Sequence, residues 1–180
     1  MRSRSRRGVG QITTLYVLRH AKSDWGDSSL KDFDRPLNDR GWKAAKAIGH
    51  EMRERELVPD LVLVSPAVRT KETLARAEEG FGDKLNVVEN RAIYLAETET
   101  LVALVRGTQN DADRLMIIGH NPGMHELVLV LSNGPIELRE ELAHKFPTAA
   151  LVEISFDVGE WAEVAVGTGR LRSFVRPRDL

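Results

Sequence analysis

The chain contains no cysteine in its 180 residues. Disulfides, thiolate metal centres and cysteine nucleophiles are thereby excluded, and the composition suits a reducing cytoplasm. It has no apolar run close to the about 20 residues that span a bilayer, so no membrane association is expected. It has no excess of charge of either sign: 26 Lys and Arg face 27 Asp and Glu. No general attraction to nucleic acid follows from that balance. Missing too are a phosphate-binding glycine-lysine loop, a serine-hydrolase elbow and the His-Glu-x-x-His spacing of zinc hydrolases.

What is present is ordinary globular material, 42% hydrophobic and 29% charged, in a length that suits one domain. The first ten residues stand apart. Arg2, Arg4, Arg6 and Arg7 alternate with serine and glycine and carry no apolar segment behind them, so residues 1–10 read as a disordered basic arm and 11–180 as the domain.

From Thr13 onward strand-like and helix-like stretches alternate. Thr13–Leu18, Leu61–Val64, Asn86–Glu89 and Leu115–Gly119 read as strands. Helices are expected after an Asn38 cap to about Glu56, over Thr70–Glu79 before Gly80, from a Thr98 cap to Gly107, and over Gly123–Leu131. Ala21–Leu37 is polar and loop-like. After Ala149 the style changes to three extended segments, Leu151–Phe156, Trp161–Val166 and Leu171–Val175, with turns between them. Alternation of this kind implies a mostly parallel mixed sheet covered by helices on both faces, an α/β/α sandwich.

Ligands of such sheets bind beyond the carboxyl ends of the strands. Three of the expected strands end in polar residues: the first in Arg19-His20, the second in Ser65-Pro66 with Arg69 just beyond, the fourth in Gly119-His120-Asn121-Pro122. Guanidinium forks match phosphate oxygens, and an imidazole can take a phosphoryl group and pass it to water. The nucleophilic ring must be neutral, its second nitrogen donating to a backbone carbonyl. Amides at the start of the helix after Pro122 offer a further anion contact. Two arginines beside two histidines also repel a cation, so no metal site is read into them.

Arg19-His20-Ala21-Lys22-Ser23, Asp34-Arg35-Pro36-Leu37-Asn38-Asp39-Arg40-Gly41, Ser65-Pro66-Ala67-Val68-Arg69-Thr70 and Gly119-His120-Asn121-Pro122-Gly123 occur in the order that marks the histidine phosphatase superfamily, and the chain resembles its small SixA-type phosphohistidine phosphatases. The resemblance implies a phosphoglycerate mutase-like three-layer sandwich with a mixed sheet and no metal or organic cofactor. It implies His20 as the phosphorylated nucleophile, with Arg19, Arg69 and His120 binding the phosphoryl group. The expected substrate is phosphohistidine in a protein, with small phosphorylated metabolites as the alternative.

Two departures stand out. Ala21 replaces the usual glycine, which is acceptable where φ is negative. The stretch Asn90–Thr100, where larger relatives carry a proton-donating acid, is short; Glu97 is the candidate there, with the competing reading of a first-turn acid favoured by the helix dipole. Ser65 and Asn121 are candidate substrate contacts or turn formers. Asp34 and Arg35 are expected to pair and hold the loop, Trp42 to lie in the core, Trp25 to line the pocket mouth, His50 and His144 to be surface residues, and His125 to stand behind the site. Other readings are a mutase, disfavoured by the short Asn90–Thr100 stretch, and a non-catalytic phospho-group binding module on the same fold. The sequence leaves the oligomeric state open.

Overall fold

The computed structural model describes residues 11–109 and 111–180, so the expected arm 1–10 lies outside the described residues. The strands in chain order are β1 (Thr13–Arg19), β2 (Leu61–Val64), β3 (Val87–Glu89), β4 (Arg114–Gly119), β5 (Ser132–Asn133), β6 (Leu151–Phe156) and β7 (Gly169–Val175). They form one sheet in the order β3-β2-β4-β1-β6-β7-β5. Strands β3, β2, β4 and β1 run parallel; β6 is antiparallel to β1 and β7, and β5 runs parallel to β7.

Among the described residues five α-helices cover it: α1 (Asp39–Glu54), α2 (Val68–Phe81), α3 (Thr98–Arg106), α4 (Gly123–Leu131) and α5 (Ile136–His144). Side chains of a strand alternate between faces, and the central strands bury both sets. Leu15, Val17, Leu115 and Ile117 face Leu101, Val105, Leu127, Leu131 and Leu142 from α3, α4 and α5. Tyr16, Leu18, Met116 and Ile118 face Ala45, Ile48, Met52 and Leu74 from α1 and α2. Among the described residues no helix is long and apolar enough to cross a membrane.

Helices α1 and α2 cross at backbone contact. A Cβ on Gly49 would stand 1.9 Å from the Ala77 carbonyl oxygen, and one on Gly80 would stand 2.0 Å from that of Lys46. This contact explains a boundary that the sequence misplaces. Gly80 is not the end of α2 but part of the crossing; the helix continues to Phe81, and Gly82, at φ 88°, supplies the left-handed C-cap.

Asn38 caps α1 as expected, its side chain accepting from the Gly41 amide at 2.9 Å. Helix α3 is capped one residue earlier than expected: Glu97 is its N-cap, and the Thr98 hydroxyl instead donates to Glu126 Oε2 at 2.6 Å. The expected strand over Trp161–Val166 is absent. Trp161–Glu163 is a 3-10 turn that seats a fully buried Trp161, whose indole N–H donates to the Ala112 carbonyl at 2.6 Å. Helix α5 was not anticipated. It buries only Leu142, so its sequence carries little periodic apolar signal.

Candidate active site

Strands β2, β4 and β1 are adjacent and parallel, so their carboxyl ends share one edge. The register pairs Leu18 with Ile118 and Arg19 with Gly119. One residue further, the His20 amide donates to the Gly119 carbonyl at 3.0 Å. The two imidazoles therefore meet, with ring centroids 5.3 Å apart. Strand β2 delivers Ser65 to the same edge, and the first turn of α2 brings Arg69 beneath the histidines; both are buried.

His20 Nδ1–H donates to the Ala21 carbonyl at 2.7 Å, because a carbonyl oxygen can only accept. Nε2 keeps its lone pair. Burial, helped by the charges of Arg69, Arg19 and Arg35 and opposed by that carbonyl, lowers the His20 pKa to about 4. Ala21 itself is buried and is not among the residues with positive φ, so its methyl group is accommodated. Its amide is held by the Thr73 hydroxyl at 2.9 Å, which donates in turn to the Arg69 carbonyl at 2.6 Å and ties the loop after His20 to α2.

His120 is held from both sides. Arg69 Nη2 donates to its Nδ1 at 3.2 Å, which leaves the proton on Nε2 to reach Ser65 Oγ at 2.8 Å. Burial, followed by the Arg69 charge, depresses its pKa to about 3. Arg19 Nη1 donates to the Phe146 carbonyl at 2.9 Å, while its Nε is buried without a partner. Asn121 Nδ2 reaches that same carbonyl at 3.1 Å, and its Oδ1 is also buried and unpaired. The start of α4 offers less than expected, since the Met124 amide is already bonded to the His120 carbonyl at 3.0 Å.

The sequence reading missed Asp32 and Tyr94. Asp32 opens a 3-10 turn, Asp32–Asp34, in the loop before α1. Its Oδ2 accepts from Arg69 Nη2 at 2.9 Å and from the Tyr94 hydroxyl at 2.7 Å, and its carbonyl accepts from Arg69 Nη1 at 2.5 Å. Its Oδ1 takes Arg35 at 2.9 Å, so Arg35 pairs with Asp32 rather than with the expected Asp34. Arg35 also donates to Ser23 Oγ and, at 3.2 Å, to the Asp24 carbonyl. The Tyr94 ring meets His120 edge-on, centroids 5.3 Å apart. An aspartate two residues before a recognised motif and a tyrosine in a short loop carry no signal of their own; only the return of the Asp32 loop onto α2 brings them in.

Glu97 is exposed, and among the described residues no hydrogen bond joins it to either imidazole or to Arg69. Trp25 is exposed, with the Arg35 guanidinium 3.2 Å from its ring centroid. Trp42 is not the core residue expected; it is 40% exposed and lies under Arg76. His125 is bonded to the Leu142 carbonyl at 2.7 Å, His50 contacts Arg53, and His144 is exposed. Among the described residues no cluster of three or more His, Asp or Glu side chains is placed to hold a metal ion.

A neutral imidazole with a free nitrogen beside fixed guanidiniums, at the carboxyl edge of a mixed sheet, is the arrangement of a histidine phosphatase. The chain belongs to that superfamily: residues 15–94 match the model of its branch 1. Within it the chain is of SixA type. It shares 30% identity with SixA of Agrobacterium tumefaciens, with a TM-score of 0.76 over 92% of this chain and 98% of that one. With SixA of Nakamurella multipartitia it shares 27% identity, with a TM-score of 0.78 over 92% and 96% of the two chains. An uncharacterized protein of Mycobacterium tuberculosis is 32% identical over 164 residues, covering 89% of this chain and all of its own length. The seven-stranded mixed sheet with five helices is the phosphoglycerate mutase-like sandwich.

Proposed function

We propose that the protein is a phosphatase that takes a phosphoryl group onto His20 Nε2 and releases it to water, and that its substrate is phosphohistidine in a protein. The observation that carries this reading is the Nδ1–H bond from His20 to the Ala21 carbonyl, which fixes the neutral tautomer and leaves the lone pair on Nε2. As the Nε2–P bond forms, the bond from phosphorus to the leaving group breaks. The Arg19 and Arg69 forks neutralise the equatorial oxygens, and the unpaired Nε of Arg19 has a donor to spare for them. His120, kept neutral by burial, gains proton affinity when a dianion lies beside it and shares that charge. Water then attacks phosphorus, the P–Nε2 bond breaks, and inorganic phosphate leaves. No metal or cofactor is assigned a step.

A protein substrate is supported by how little chain follows β3 at this edge. Between β3 and α3 the chain has only one 3-10 turn, Arg91–Ile93, and Trp25 and Leu95 are exposed. So short a connection brings little chain over the site, which suits an imidazole presented on a partner's surface. The test is to replace His20 with asparagine and quench the reaction with phosphohistidine peptide in alkali. The wild type leaves an acid-labile, base-stable phosphoprotein labelled at His20; H20N leaves none and loses about 10³-fold or more in turnover. Near wild-type turnover by H20N refutes the reading, and binding without turnover by the wild type returns the chain to a phospho-group binding module.

A further inference from the structure

We propose that Asp32 is the group that protonates the leaving group during transfer to His20 and takes the proton back from the attacking water. The inference rests on the phosphatase reading above and adds a substrate class to it: phosphomonoesters whose alkoxide leaves poorly without a proton, such as phosphoserine in a peptide.

The placement is specific. Arg69 Nη2 is shared between His120 Nδ1 at 3.2 Å and Asp32 Oδ2 at 2.9 Å, so the carboxylate sits one guanidinium away from the paired imidazoles. It lies on the solvent side of Arg69, which is 4% exposed, while the Asp32 side chain is 45% exposed. A leaving group departs on the side of phosphorus opposite Nε2, and that side must open to solvent. Among the described residues, the side chains hydrogen-bonded to Arg69 or His120, or in ring contact with His120, are imidazoles, a guanidinium, a hydroxyl, a phenol ring and one carboxyl, that of Asp32. Glu97, the acid suggested by the sequence, does not share this position.

The groups facing Asp32 explain how its proton is managed. Arg69 from α2, Arg35 from its own loop and the Tyr94 hydroxyl all bind the carboxylate. Burial favours the protonated acid, but the Tyr94 and Arg69 hydrogen bonds and the Arg69 and Arg35 charges outweigh it and hold the free acid below its usual range. A phosphoryl dianion changes both terms. It competes for Arg69 and adds a like charge beside the carboxylate, and each effect raises its proton affinity. Asp32 thus picks up a proton as substrate binds. In the transfer the O–P bond of the ester breaks, its electron pair goes to the ester oxygen, and the Asp32 proton moves there while Nε2–P forms. In the second half, water loses a proton to the Asp32 carboxylate as its oxygen bonds to phosphorus and Nε2–P breaks.

The experiment compares kcat/KM, which reports the first half-reaction, for Asp32→Asn and wild type across leaving groups. With a phosphoserine peptide D32N is expected to fall by about 10²–10⁴-fold, and with p-nitrophenyl phosphate, whose phenolate needs no proton, by less than about 10-fold. The alkaline limb of the wild-type kcat profile with phosphoserine, which reports ionisations in the complex, should vanish in D32N, and Asp32→Glu should recover part of the loss. An equal fall for every leaving group means that Asp32 merely holds Arg69, and no fall means that it is idle; either result overturns the proposal. In both cases a phosphoenzyme still trapped at His20 leaves the phosphatase reading standing, whereas its absence in the wild type removes that reading instead.

Discussion

An imidazole is a nucleophile only while one ring nitrogen keeps its lone pair, and in the proposed mechanism burial does most of that work at His20. With a pKa of about 4 against 6.5 in an open chain, His20 is neutral throughout the physiological range. The acid limb of kcat/KM, which reports free-enzyme ionisations, should therefore fall near pH 4 rather than near 6.5. The same shift bears on stability, and the sign is fixed. Between the folded and the unfolded value the unfolded chain binds more protons, so stability is intact above about pH 6.5 and is lost as the pH falls towards 4. For His20 the full loss is roughly 3 kcal/mol, and His120, pushed to about 3, adds to it. Urea unfolding midpoints at pH 7 and pH 4.5 should show this decline, with a shallower slope in H20N. A pH-independent midpoint, or an activity limb near 6.5, would show that both rings are better solvated than their burial implies.

At the scale of elements, the helix crossing matters because α2 is the arm that carries Arg69. Gly49 and Gly80 let α1 and α2 touch along their backbones, and neither site can take a methyl group without moving a carbonyl. Gly49→Ala is expected to cost about 2–3 kcal/mol by overpacking, which for a chain of this size lowers the thermal midpoint by about 4–12 °C. An unchanged midpoint in a calorimetric scan would mean that the helices slide apart freely. The crossing also explains what the sequence could and could not disclose. Periodicity marks α1 and most of α2 because each has one apolar face, but it cannot tell a glycine that ends a helix from one that another helix presses against. The continuous apolar runs of β1, β2 and β4 were legible because strands buried on both faces admit little else. Helix α5 was not, since a helix lying on the surface with one buried leucine has almost no pattern to read.

For the whole molecule the decisive fact is strand order. Arg19 and His20, Ser65 with Arg69, and His120 lie far apart in the chain, and β4 between β1 and β2 brings them to one edge, where His120 touches His20, Ser65 and Arg69. Motif order alone allowed these residues to be named, since each ends a recognisable strand. Asp32 and Tyr94 escaped because they arrive by loops, whose path depends on Arg69 and Arg35 being in place to receive them. The assembled edge carries the buried guanidinium of Arg69, the half-buried one of Arg19 and a resident carboxylate, so an incoming oxyanion must share Arg69 with Asp32. Binding to the folded chain alone raises its stability, by about 2.7 kcal/mol at a ligand concentration of 100 times Kd, or roughly 5–11 °C in midpoint. Orthovanadate or tungstate should therefore stabilise the wild type. Arg69→Gln should abolish the effect, while D32N, by removing the competing charge, should reach the same stabilisation at a lower concentration. The opposite directions are diagnostic: if D32N weakens oxyanion binding as R69Q does, Asp32 supports the anion site rather than contesting it, and the electrostatic coupling that would charge it with a proton on substrate binding does not exist.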